Sequence, residues 1–353
     1  MRIGWLIYGD LHLQTGGFFY DRQIIRGLRA RGHRVEVVAW PWRSAFAAAL
    51  GSLWGLEWRQ VRGRRWDVVV EDGLVMPSLS LRPPRWPFPR VTLMHNPRAF
   101  TAHPPWTARW MARLEARYLR RIQGLIGVSR FNVRWARQHG FQGPATVAYP
   151  AGDHLRPDLT PADLQARTHA SGPLRVLFVG QLIPHKGLHV LLQALARLAR
   201  HPWHLTIVGD PRSSPRYVKR LQGFVARHGL THRVTWAGLL PHAQVARHMR
   251  HSHVLAVPSR SEGYALVYIE AMGFGLPVIG SRVGGGPELI RHGENGFLVR
   301  PHPEDVADAL VQCMDRAQLA RMARTARETF LRHPTWEDAV EVVEGFLLTH
   351  FAP

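Results

Sequence analysis

The chain has 353 residues, enough for two domains that each bury a core of their own. Its formal charge is +21, from 46 Lys+Arg against 25 Asp+Glu, and its one cysteine, Cys313, excludes an intrachain disulfide and suits a reducing compartment. The opening MRIGWLIYGD turns polar too soon for a signal peptide, and no apolar run approaches the ~20 residues that a spanning helix requires, so the expected location is the cytoplasm.

The charge is lopsided. Residues 1–150 hold 23 Lys+Arg against 8 Asp+Glu, whereas residues 151–353 hold 23 against 17. A shortage of acids confined to the first half points to an anionic partner there, either a membrane surface or a charged acceptor.

In chain order, Arg2 to Tyr8 reads as a buried first strand. A turn carrying Gly16 and Gly17 follows, then a helix through Ile24, Ile25 and Leu28, and a strand from Val35 to Trp40. In residues 42–66, Trp42, Phe46, Leu50, Leu53, Trp54, Leu56, Trp58 and Val61 interleave with Arg43, Arg59, Arg62, Arg64 and Arg65. Such a surface can lie among lipid headgroups, and the same pattern also fits a core helix with a basic edge. Asp67 to Glu71 and Arg90 to His95 read as strands, with His95 at a carboxyl end. Within 106–121, Arg109, Arg113, Arg117 and Arg121 recur every fourth residue, a stripe of like charge that an anion would neutralise.

Leu125 to Val128 and Ala145 to Tyr149 complete about six parallel strands, with Ser129 capping a helix between them. Residues 156–173, rich in Pro and poor in apolar residues, read as a linker. The strand pattern resumes at Leu174–Val179 and recurs at 204–209, 233–237, 253–257, 277–279 and 293–299. A last amphipathic segment starts at Thr335.

Pro258 to Glu288 is the most informative stretch: a strand, a Gly-containing turn, a helix ending on Gly273 and Gly275, and another strand. The amides of Gly263, Tyr264, Ala265 and Leu266 fall at a helix N-terminus, where orphan N–H groups and the macrodipole favour a phosphate. Glu262 lies in the turn and Glu270 two turns into an otherwise apolar helix, about 12 Å further on. Vicinal hydroxyls of a sugar and of a ribose are natural partners for two such carboxylates.

Ser259 to Glu288 resembles the donor-site signature of family-4 retaining glycosyltransferases. The matching residues are Glu262, Gly263, Tyr264, Leu266, Glu270, Ala271, Gly275, Pro277, Val278, Ile279, Gly284, Gly285 and Glu288; Ala265 stands where the family often has glycine. The resemblance implies an α/β GT-B fold, two Rossmann-like doubly wound parallel-sheet domains facing a cleft. Residues 1–155 would form the acceptor-side domain and 174–330 the nucleotide-sugar donor domain, with 331–353 a helix returning to the first. It further implies that Gly16 and Gly17 let ligands approach the backbone, that His95 and Glu262 orient the sugar, and that Glu270 takes the ribose. Lys186 would hold the diphosphate, with Gln181 beside it in place of the family's arginine.

The activity so implied is transfer of a sugar from a nucleotide diphosphate sugar to an acceptor such as a lipid-linked or cell-envelope glycan. The enzyme would work without metal or cofactor, as a cytoplasmic protein peripheral to the inner face of the membrane. An epimerase with the same donor contacts is the alternative. A nucleic-acid partner is not expected, because no recognised module accompanies the charge.

Overall fold

In a computed structural model of the chain, the described residues are 1–55, 60–82, 84–101 and 105–353. They form two compact units, residues 1–150 with 334–353, and residues 151–333.

The first unit contains β1 (Arg2–Tyr8), α1 (Gly16–Ala30), β2 (Arg34–Trp40), α2 (Ala45–Trp54), β3 (Val68–Asp72), β4 (Arg90–Met94), α3 (Arg98–Thr101), α4 (Pro105–Leu119), β5 (Gly124–Gly127), α5 (Arg130–Gln138) and β6 (Ala145–Val147). The six strands form one parallel sheet in the order β2-β1-β3-β4-β5-β6. Every residue of β3, β4 and β5 is buried, as expected where helices cover both faces of a parallel sheet. The two glycines read as a turn instead open α1, with Thr15 as its side-chain cap.

The second unit contains α6 (Pro161–His169), β7 (Leu174–Val179), α7 (Leu188–Arg197), β8 (Trp203–Val208), α8 (Pro215–Arg227), β9 (Val234–Gly238), α9 (His242–His251), β10 (Val254–Val257), α10 (Leu266–Gly273), β11 (Val278–Ser281), β12 (Gly296–Val299), α11 (Pro303–Met314) and α12 (Arg316–Leu331). Its parallel sheet runs β12-β11-β10-β7-β8-β9. The reading of 156–173 as a bare linker needs correction, because α6 lies within it. Thr160 and Asp163 form a reciprocal capping box, Pro161 presets the first helical φ, and Leu164, Arg167 and Thr168 are buried.

The chain ends in α13 (Trp336–Phe351), again opened by a capping box, between Thr335 and Asp338. Its buried stripe, Trp336, Val340, Val343, Phe346 and Leu347, belongs to the first unit, where Arg31 bridges Glu337 and Glu344.

One buried hydroxyl pins the elements that carry the site. Tyr268 in α10 is fully buried; its O–H donates to the Val257 carbonyl at 3.0 Å and accepts from Ser281 N–H at 3.1 Å. It thereby ties the helix to the carboxyl ends of β10 and β11. Tyr268→Phe leaves both backbone groups without that partner and should lower the unfolding free energy by about 1–3 kcal/mol in urea denaturation. An unchanged midpoint would remove this role.

Candidate functional site

The second sheet changes its winding direction between β7 and β10, and in such sheets ligands bind outside the carboxyl ends of the strands at that point. Two turns leave those ends, residues 184–186 after β7 and 258–265 after β10. Three bonds fasten them together. Arg260 N–H donates to His185 O at 2.9 Å, His185 Nε2 lies 2.7 Å from Ser261 O, and Lys186 Nζ donates to Glu262 Oε1 at 2.6 Å. Burial holds the His185 imidazole below its ordinary pKa, against the pull of Glu262, so the ring is neutral and Nε2–H is its donor.

Glu262 is only 6% exposed, and Ser259 Oγ–H donates to the same Oε1 at 2.5 Å. Its backbone is held too: Gly285 N–H donates to Glu262 O at 2.8 Å, and Glu262 pairs with Gly284 in a short parallel bridge. A Cβ on Gly284 would stand 1.9 Å from Glu262 O, at a φ of +95°, so only glycine lets these strands approach. Gly187 serves the other turn in the same way, with a φ of +76° and space for a Cβ only 2.1 Å from Pro258 O. Lys186 is thus set beside Glu262 by one glycine at the end of the turn after β7 and another in the segment after β11. An ammonium has three N–H donors, one of which meets Glu262, and the Lys186 side chain is 22% exposed.

Past Glu262 the chain enters α10 without a side-chain cap, leaving first-turn amides for an anion. Ala265 occupies the N-cap in a left-handed conformation, φ +64° and ψ 72°. The alanine is therefore a strained substitute for glycine, carrying about 1–2 kcal/mol of steric cost. Leu266 is the first helical residue, and Gly263 is buried at the brace made by Gly285. Tyr264 is buried, its hydroxyl bonded to His333 Nε2. Gln181 is exposed just beyond β7.

Glu270 is the fifth residue of α10, just over one turn in rather than the two expected, and its Oε1 is 3.2 Å from His154 Nε2, both side chains being 10% exposed. His154 was not singled out from the sequence, since nothing local marks it among 21 histidines.

The first unit has its own constellation at its own reversal point, between β1 and β3. His95 follows β4, and Gly17 faces it, with space for a Cβ 3.4 Å from the ring; the Gly16 position is open. His95 Nε2 lies 3.2 Å from Asp21 Oδ1 and 4.0 Å from Asp72 Oδ2, and both acids are fully or almost fully buried. Burial opposes charge on His95, but Asp21 and Asp72 outweigh it and hold the ring above its ordinary pKa. Burial, reinforced by Asp21, pushes the Asp72 carboxyl up to about 7. One ligand atom from each of the three lies within 4.8 Å of the others, close enough to hold a cation, while two carboxyls and an imidazole can equally share protons. Neither acid was anticipated. Asp21 shares the buried face of α1 with Ile24, Ile25 and Leu28, a signal that was present, and Asp72 closes the run Val68–Glu71.

Residues 161–329 match the profile of the family described as glycosyl transferases group 1. The match lies within the second unit. D-inositol 3-phosphate glycosyltransferase of Acidothermus cellulolyticus is 35% identical over 178 residues, 48% of this chain and 40% of that protein. The chain thus spans less than half the length of that curated relative. Among solved structures, sucrose-phosphate synthase of Thermosynechococcus elongatus superposes with a TM-score of 0.83, covering 99% of this chain and 98% of its own at 21% identity. Anabaena HepE, crystallised with UDP-glucose, gives 0.75 over 99% and 100%, also at 21% identity. The two units have the two-domain α/β architecture of the GT-B fold.

Two outcomes follow from the local geometry. Ala265→Gly relieves the left-handed strain and, after the entropy of a freer unfolded chain, should raise stability by up to about 1 kcal/mol. A drop in melting temperature would contradict the strain. For Asp72, a folded pKa near 7 against an unfolded value near 4 means stability is lost as pH rises through that window. The raised His95 works in the same direction, stabilising at low pH and losing that contribution as pH passes its folded value. The wild type should therefore weaken as pH rises from about 4 through about 7, the window set by Asp72, with His95 adding to the loss as it deprotonates. Asp72→Asn keeps an acceptor for Leu74 N–H and should flatten the decline; parallel pH profiles for the two proteins would refute the coupling.

Proposed function

We propose that the chain is a retaining glycosyltransferase of family 4, moving a sugar from a nucleotide diphosphate sugar to a lipid-linked or cell-envelope glycan. The observation that carries the reading is Lys186 fastened to Glu262 beside the uncapped start of α10. A diphosphate placed there meets an ammonium with two further N–H donors and the first-turn amides of the helix, all oriented before it arrives. Charge developing on the departing phosphate then meets fixed donors, which is where such sites gain most of their rate. Glu270 takes the ribose hydroxyls and Glu262 the sugar, with Gln181 and the amides of Gly263, Tyr264, Ala265 and Leu266 completing the donor contacts. From the first unit we assign His95, with Gly16 and Gly17, to the same reaction.

The donor assignment is supported by the UDP-glucose complex of a GT-B neighbour and by the match of residues 161–329 to the group 1 profile. The acceptor hydroxyl attacks on the face that the phosphate leaves. The leaving phosphate accepts the hydroxyl proton, so neither an enzyme nucleophile nor a metal enters the reaction. The enzyme works at the inner face of the membrane as a peripheral protein.

Lys186→Ala and Glu270→Ala should each lower transfer by about 10²–10³-fold, with circular dichroism unchanged and with the wild type equally active in EDTA. Near wild-type turnover in either variant would overturn the assignment. Donor incubated without acceptor should return unaltered by NMR, whereas an epimerised sugar would establish the alternative class.

A further inference from the structure

The first unit carries an apolar surface for which its own fold has no use. Along α2, the side chains at 46, 50, 53 and 54 recur at the spacing of one helical face. That face points outward: Phe46 is 63% exposed, Leu50 38%, Leu53 41% and Trp54 67%. The buried side of the helix consists of Ala48, Ala49, Gly51 and Ser52. The helix is therefore turned with its large apolar residues towards solvent and its small ones towards the core.

The surface continues beyond α2. Trp42, 54% exposed, precedes it, and Phe46 packs against Trp110 of α4 with ring centroids 6.0 Å apart. One turn before Trp110, Trp106 is 70% exposed. Arg109, Arg113 and Arg117 stand exposed on the same helix, and α2 itself contains no charged residue. Several other residues of the 42–66 stretch are spent elsewhere or not described. Val61 and Trp66 are core residues, Trp66 Nε1 and Arg64 bond to Glu36, and Leu56, Trp58 and Arg59 lie outside the described residues.

We infer that α2, with Trp42, Trp106 and the arginines of α4, is a docking face for an anionic lipid bilayer, lying in its headgroup plane. Ten residues of helix span about 15 Å, half a bilayer core, and no described helix is long and apolar enough to cross one. A short helix with an outward apolar face, tryptophans at its ends and arginines alongside has the composition of an interfacial element. Charge complementarity selects anionic lipid, since residues 1–150 carry 23 cations against 8 acids. The inference deepens the peripheral placement proposed above, and the assay for it contains neither sugar donor nor acceptor, so its failure is separate from failure of that reading.

The test is co-sedimentation of the purified chain with vesicles of phosphatidylcholine, with and without phosphatidylglycerol. Binding is expected to the anionic vesicles and to weaken steeply in high salt. Phe46→Glu with Leu50→Glu should lower the partition coefficient at least about tenfold. Arg109→Glu and Arg113→Glu, at exposed positions outside the core, should lower it about fivefold each. Brominated acyl chains should quench tryptophan fluorescence in the wild type but much less in the Phe46/Leu50 variant. Failure to sediment with anionic vesicles in low salt would overturn the inference. Unchanged binding by a Phe46/Leu50 variant that melts like the wild type would do the same. So would a dimer, seen by light scattering, that this variant dissolves while lipid binding persists.

Discussion

A carboxylate buried to 6% exposure must be answered by something, and at Glu262 the answer is one hydroxyl and one ammonium. Breaking such a pair by removing one partner leaves a charge in a poor solvent, so the pair itself fixes where Lys186 stands. The surrounding backbone is built to bring the partners within 2.6 Å. Gly187 lets one turn close on Pro258, Gly284 lets the bridge close on Glu262, and Tyr268 holds the strand ends against α10. The same geometry leaves the Lys186 side chain partly exposed and the start of the helix without a side-chain cap, and on these two features the proposed diphosphate site rests.

The first unit solves a similar placement with the opposite balance of charge. At its sheet reversal it gathers two buried acids around His95 rather than a cation beside an acid. Burial and mutual repulsion push Asp72 up to about 7, while the acids hold His95 above its ordinary value. Protons in this cluster are thus exchanged near neutrality, unlike those of His253 in the second unit. There burial among Arg175, Arg316 and Arg167 drives the ring down to about 3 and leaves it a neutral structural bridge. Two histidines of the same chain are set to different chemistry by the sign of their neighbours.

Much of the architecture was legible in the residues, for reasons particular to parallel sheets. Strands covered on both faces must be apolar throughout, so Val68–Val70, Val91–Met94 and Val254–Val257 announce themselves as continuous runs. Helix starts with reciprocal caps, as at Thr335–Asp338, are equally local. The helix α6 was missed because proline and glycine on either side suggested a linker, although its capping box at Thr160 and Asp163 was available. Among the candidate residues of the two units, Glu262, Glu270 and Lys186 stood out by motif, whereas Asp21, Asp72, Ser259 and His154 did not.

What the sequence by itself determined was the set of local instructions: which runs are buried strands, where helices begin, and which turn carries the paired acids and glycines. Only the tertiary structure decided partnership and orientation. It set Lys186 against Glu262 and His154 against Glu270, put Ala265 into a left-handed conformation, and turned the large side chains of α2 to solvent. Hydrophobic periodicity depends on neighbours a few residues away and survives in a one-dimensional string. Charge pairing and the choice of which helical face is buried depend on segments distant in sequence, whose approach is set by the sheet order and by close backbone contacts.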